Sequence, residues 1–173
     1  GHADFGVKTS IPIIYEPYEI EFNPIPLIKK HLDSLNHQKL ALVTTIQFQK
    51  TLEPIKAFLE KTGKVVPFTG TILGCNQSSA LTKEESVDCF LFLGSGKFHP
   101  LGLALKTQKP VLSLDFETGE LRNFEKEKNR LERIRAFHIE QAKESQRFGI
   151  LVSTKPGQFF PKKAEAVKKL LKE

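Results

Sequence analysis

The sequence predicts an α/β fold in which a parallel sheet is flanked by helices. Three observations carry that prediction. Short β-branched runs alternate with segments whose apolar residues recur at helical spacing. The loops between them have the length that strand–helix chains use. The run Cys89–Leu93 (CFLFL) is continuously apolar, as in a strand covered on both faces rather than one with a side in water.

The elements follow in order. Ile11–Ile14 reads as a strand, and Pro24–Leu35 as a helix with Ile25, Leu27, Ile28, Leu32 and Leu35 as its apolar members. Leu40–Thr45 (LALVTT) is the clearest buried strand, a β-branched run between polar residues. Thr51–Lys61 carries Leu52, Ile55 and Leu59 at helical spacing, and Gly63 stands where helices stop. Lys64–Phe68 is a further strand. Cys89–Leu93 runs straight into Gly94-Ser95-Gly96, and a short helix over Pro100–Thr107 and a strand over Pro110–Asp115 come next. Glu120–Gln146 reads as one long charged helix packing through Leu121, Phe124, Leu131, Ile134 and Phe137. Phe148–Ser153 reads as a strand and Pro161–Leu171 as a lysine-rich amphipathic helix. This order divides the chain into an α/β unit over 1–119 and a second part over 120–173. The second part is a linking helix followed by the first strand and helix of another unit.

Composition narrows the function classes. The chain is 39% hydrophobic and 27% charged, enough for a packed core. No apolar run approaches the roughly 18 residues of a membrane span, and no signal-peptide pattern opens the chain. Twenty-six basic against 20 acidic residues leave +6, a modest excess that suits an anionic partner or simple solubility. The charges of Arg122–Arg135 have both signs, the pattern of a solvated helix face and not of a nucleic-acid stripe. Two cysteines, Cys75 and Cys89, make no disulfide scaffold and fit a reducing compartment. The chain has no methionine, which we read as the mark of an excised or processed piece of something longer.

In a parallel sheet, ligands gather at the carboxyl ends of the strands. The loops expected there are Thr45–Gln49, Thr69–Ala80, Gly94–Pro100, Asp115–Gly119 and Ser153–Gln158. Gly94-Ser95-Gly96-Lys97-Phe98-His99 is the most loaded: two glycines permit close backbone approach, Lys97 adds charge, and His99 can donate, accept or ligate. A tight turn with a solvated lysine is the plain alternative. The glycine and lysine spacings of a P-loop or a dinucleotide fingerprint are absent. Cys75 lies in a glycine- and hydroxyl-rich loop without a CxxC partner, so a structural role is favoured, and Cys89 opens an apolar strand and reads as core. Lys155-Pro156-Gly157-Gln158 can contact a polar ligand, with a Pro-Gly turn as the alternative. At the start, His2 and Asp4 pair an imidazole with a carboxylate, against the possibility that Gly1-His2 is a tag remnant.

Taken in order, Gly1-His2-Ala3-Asp4, IPIIYEP, TTIQF, GTILGCNQSSA, CFLFLGSGKFHPLGLAL, PVLSLDFETGE and FGILVSTKPGQ resemble the central and following parts of the diphthamide synthase family, 2-(3-amino-3-carboxypropyl)histidine synthase. The resemblance runs over essentially the whole chain. It implies a flavodoxin-like three-layer unit from a protein of three related units. It also implies a 4Fe-4S cluster, held by one cysteine from each unit, that cleaves S-adenosylmethionine to a 3-amino-3-carboxypropyl radical. The acceptor it implies is a histidine of translation elongation factor 2, in the cytoplasm, within a homo- or heterodimer with a diphthamide synthase subunit and without direct contact to nucleic acid or membrane.

Two departures from the family pattern follow. Asp4 stands where the family carries its cysteine in a G-H-S-C-like segment, and a carboxylate is a harder, weaker ligand for such a cluster. The units bearing the other two cysteines are not in this chain, so the piece alone is expected to be inactive. The implied contacts are Gly94, Gly96, Lys97 and His99 facing the substrate cavity; Lys155, Gly157 and Gln158 on the aminocarboxypropyl carboxylate or the nucleoside; and Asp4 at the metal position. The competing expectation is a non-catalytic scaffold subunit that has lost its cluster ligand.

Overall fold

The apolar runs pair into one sheet in the computed structural model, which describes residues 10–12, 14, 16, 18–74, 76–155 and 158–171. The strands are β1 (Lys39–Thr44), β2 (Val65–Thr71), β3 (Cys89–Gly94), β4 (Val111–Asp115) and β5 (Leu121–Asn123), in the spatial order β2-β1-β3-β4-β5. The first four are parallel; β5 runs antiparallel to β4, with Leu114 opposite Leu121. The sheet is therefore mixed, and the expectation of a parallel one is corrected at this edge. β2 forms the other edge, where Pro67, which cannot donate to a ladder, falls at the register shift between Lys39 and Ala41.

Alternation along the strands builds the three layers. Leu40, Leu42, Leu91, Leu93, Leu112 and Leu114 point to one face. There they meet Ile28 of α1 (Ile25–His31) and Leu52, Ile55 and Leu59 of α2 (Leu52–Lys61). The intervening Ala41, Val43, Phe90, Phe92 and Val111 meet the opposite layer. It consists of Ala80 of α3 (Ser78–Leu81), Leu103 and Ala104 of α4 (Phe98–Ala104), and Phe124 ahead of α5 (Glu125–Lys143). Each fully buried Leu or Phe contributes about 1.5–3 kcal/mol, so the two faces of β1 and β3 dominate the core.

The long helix starts at Glu125, not at residue 120, because Leu121–Asn123 pairs with β4 and the Asn123 Oδ1 accepts the Glu125 N–H at 2.8 Å. Lys128 is buried on its first turns and donates from Nζ to the Thr107 carbonyl at 2.8 Å, pinning the helix to the loop before β4. Thr107 in turn donates to Glu84, whose carboxyl is held below its usual range by that hydroxyl.

The chain divides after Glu132 into two compact units. The second contains the rest of α5 and α6 (Pro161–Leu170), which Pro161 opens. Residues 148–153 carry no strand there, and the described part of 11–14 carries none either. A strand exists only through a ladder with a neighbour, and none of the five strands pairs with these runs. Leu151 is 99% exposed. Among the described residues no helix is long and apolar enough to cross a membrane.

Candidate functional site

In this strand order the chain leaves β1 for β2 on one side and reaches β3 on the other, so the β1/β3 junction is the topological switch point where open α/β sheets form ligand crevices. A cleft of about 270 Å³ lies there. Thr45, Ile46, Gln47 and Phe48 line it from the turn after β1, Ile72 and Leu73 from the end of β2, Ser95 and His99 from the loop after β3, Glu117 from the loop after β4, and Ile20 from the preceding segment. Four of the five predicted strand-end loops thus meet at one cleft.

Backbone geometry explains why the loops hold their shape. Gly94 and Gly96 have φ of +154° and +79°; a side chain at Gly96 would be strained whatever the space around it, and a Cβ on Gly94 would come within 3.2 Å of the Phe92 ring. Asp115 then ties two loops together. Its Oδ1 accepts the N–H groups of Glu117 at 3.0 Å and Thr118 at 3.1 Å, and its Oδ2 accepts that of Gly96 at 3.3 Å. Burial alone would raise the carboxyl's pKa, but these amides and the Arg122 guanidinium together leave it below the usual carboxylate range. Phe116 packs edge-on to Phe48 at 5.2 Å and against Phe22 at 5.0 Å, which fixes the turn after β1.

His99 stacks on Phe92 at 6.0 Å and is half-buried; burial pushes its pKa down, so the neutral imidazole lines the cleft at pH 7. Gln77 is buried, donating to the carbonyls of Leu73 and Gly74 and accepting from Lys106 at 2.6 Å, and so holds the loop after β2 closed. Gln47 differs: its Oε1 is sealed from solvent with no hydrogen-bond partner among the described residues. An unmet buried acceptor costs about 1–3 kcal/mol.

The sequence-predicted residues fall as follows. His99 lines the cleft, Gly94 is buried beneath it, and Gly96 shapes its rim through Asp115, while Lys97 is exposed and not among the lining residues. Lys155 and Gln158 lie exposed in the second unit, where the Lys155 N–H donates to Ser153 Oγ at 3.2 Å and the Gln158 N–H to the Lys155 carbonyl at 3.0 Å. Asp4, Gly157 and Cys75 lie outside the described residues. Sequence reasoning named the loops of Gln47, Asp115 and Glu117 but not these side chains; a carboxylate as the last residue of a buried strand was the available signal for Asp115.

The described residues do not fit an iron–sulfur cluster. No three His, Cys, Asp or Glu side chains among them gather into a metal-holding group. Cys89 is buried, and its thiol is pushed up to about 12, mainly by that burial, whereas a ligand must be the thiolate.

A three-layer α/β unit with the strand order 2-1-3-4-5 and a crevice at its switch point has the strand order of the flavodoxin-like folds, with its last strand reversed. The chain belongs to the diphthamide synthesis protein family, whose model matches residues 1–173. It is 33% identical over 184 residues to the 2-(3-amino-3-carboxypropyl)histidine synthase of Pyrococcus horikoshii, covering 100% of this chain and 52% of that protein. It is 27% identical to subunit 1 of the Gibberella zeae synthase, covering 95% and 37%. The crystal structure of Dph2 from Pyrococcus horikoshii with a 4Fe-4S cluster superposes with a TM-score of 0.77 at 34% identity, over 87% of this chain and 46% of that one. The chain spans about half the length of that archaeal synthase.

Proposed function

We propose that the full-length protein is a 3-amino-3-carboxypropyl transferase of diphthamide synthesis, with S-adenosylmethionine as donor and a histidine of translation elongation factor 2 as acceptor. The observation that carries the reading is the match along the whole chain to synthases of that name, one relative of which was crystallised with a 4Fe-4S cluster. In this reading a 4Fe-4S cluster, held by residues outside the described ones, would supply the reducing electron for cleavage of the donor. The described unit contributes the crevice: His99 presents a neutral imidazole, Ser95 and Glu117 add polar contacts, and the apolar wall excludes water. Gly94, Gly96 and Lys97 form the loop toward the substrate cavity, and Lys155, Gly157 and Gln158 are contacts to the donor. The segment 120–173 hands over to the next of three related units. The protein works in the cytoplasm, as a homo- or heterodimer.

Asp4 favours a second reading. A carboxylate at the family's cysteine position suits a subunit that has lost its cluster ligand and supports a catalytic partner. The test is anaerobic incubation of full-length protein with elongation factor 2 and S-adenosylmethionine labelled in the carboxypropyl arm. Transfer of label to the acceptor histidine by the protein alone supports the enzyme; transfer only when a second synthase subunit is added supports the scaffold.

A further inference from the structure

The walls of the switch-point cleft are not held equally. Asp115 joins the loops after β3 and β4, the buried Gln77 holds the loop after β2, and the turn after β1 leads straight into α2. The remaining wall is Ile20, which belongs to residues 18–23, a run that is neither helix nor strand. Its far end is anchored at α1, where Pro24 is buried and the Asn23 Oδ1 accepts the Ile25 N–H at 3.1 Å. Ahead of that anchor, the Ile20 N–H donates to the Gln47 carbonyl at 2.8 Å and Glu19 pairs with Lys50 at 2.5 Å. The Phe22 ring lies 5.0 Å from that of Phe116. Gln47 and Lys50 follow β1 and Phe116 follows β4, so the run crosses the carboxyl ends of β1, β3 and β4 as a strap. Two strand spacings are about 10 Å, the reach of three residue steps at about 3.3 Å each.

These ties are weak ones. The Glu19–Lys50 pair is exposed, with 29% and 64% of the side chains accessible, so water and salt screen it. Ile20 and Phe22 keep 37% and 39% of their surface in solvent. A segment with few buried contacts and exposed backbone bonds opens well before the sheet it lies on. The cleft beneath is about 270 Å³, short of the roughly 300–1,000 Å³ of sites that enclose whole small molecules. A ligand larger than the cleft enters when a wall moves, and the strap is the wall least tied down.

We propose that residues 18–23 are a gate over the switch-point cleft, hinged at the Asn23–Pro24 anchor, latched by Glu19 on Lys50 and lifted to admit ligand. The inference rests on the transferase reading above for the identity of that ligand and adds how the crevice opens to it. Neither Glu19 nor Lys50 lines the cleft. Lys50 is a positioning residue that acts through the strap, and Glu21 adds to the attraction it feels.

The test compares full-length wild type, Lys50→Glu and the double variant Glu19→Lys/Lys50→Glu. Hydrogen exchange of the ligand-free protein reads the latch. Lys50→Glu sets a further carboxylate against Glu19 and Glu21, and exchange at the Ile20 amide is expected to rise about five- to tenfold. The Gly96 and Thr118 amides, held by Asp115, are expected not to change. The double variant restores the ion pair and the slower exchange. Stopped-flow binding of S-adenosylhomocysteine reads the gate. Easier opening raises its association and dissociation rates together and leaves Kd within about twofold. A fixed wall that has lost a contact raises the dissociation rate alone. That result, or Ile20 exchange that Lys50→Glu leaves unchanged, overturns the gate while the transferase reading stands. Wild-type protein that binds no S-adenosylhomocysteine, with exchange as expected, overturns the transferase reading and leaves the gate serving another ligand.

Discussion

Asp115 shows how one side chain at a strand end can organise a cleft. It stands opposite Gly94 in the β3–β4 ladder, so its carboxylate reaches the Gly96 amide of the next loop as well as the amides of its own turn. Asp115→Asn keeps the size but removes the charge that these N–H groups favour. It is expected to cost about 1–2 kcal/mol of unfolding free energy and to speed amide hydrogen exchange at Gly96. The pH dependence has a definite sign. The folded-state pKa of Asp115 lies below its unfolded value, so the stabilisation is complete above about pH 4 and is lost as pH falls through the folded pKa. Stability curves of wild type and Asp115→Asn should therefore converge in acid and separate above pH 4; parallel curves would contradict the assignment. The turn that carries His99 was legible in the sequence, because two glycines directly after a buried strand already imply a tight strand-end loop. The parts played by Asp115 and Gln47 were not, because they depend on strand register and on atoms left unpaired, which no local pattern encodes.

At the scale of elements, strands with strong apolar runs were readable to within a few residues, because burial on both faces leaves a composition that solvent-facing segments cannot have. β5 was missed for a physical reason. Three residues have little intrinsic preference, and Leu121 and Phe124 also fit the spacing of the helix that follows. Asn123, which caps Glu125, was the overlooked stop signal. The run 148–153 has the composition of a strand but lacks a ladder, and pairing rather than composition makes a strand. Leu91, fully buried in β3 and packed in the layer under α1 and α2, tests the packing account. Leu91→Ala should cost about 2–5 kcal/mol in denaturant unfolding, whereas Lys97→Ala, at an exposed position, should stay within about 0.5 kcal/mol of wild type. Comparable effects of the two would refute the core described here.

For the whole molecule, the sheet order brings four strand-end loops to one crevice in a unit of a family whose relatives carry the name of a histidine-modifying synthase. Among the described residues a crevice forms and no three His, Cys, Asp or Glu side chains gather into a metal-holding group, so in the proposed reading a cluster would be held by residues outside them. The most direct measurement is anaerobic iron–sulfide reconstitution of that protein, followed by ultraviolet–visible and electron paramagnetic resonance spectra with and without S-adenosylmethionine. The account predicts a reducible 4Fe-4S signal that S-adenosylmethionine perturbs and that accompanies cleavage of its carboxypropyl arm. A folded protein that takes up no cluster, and leaves S-adenosylmethionine intact under reducing conditions, would contradict the enzyme and leave the scaffold.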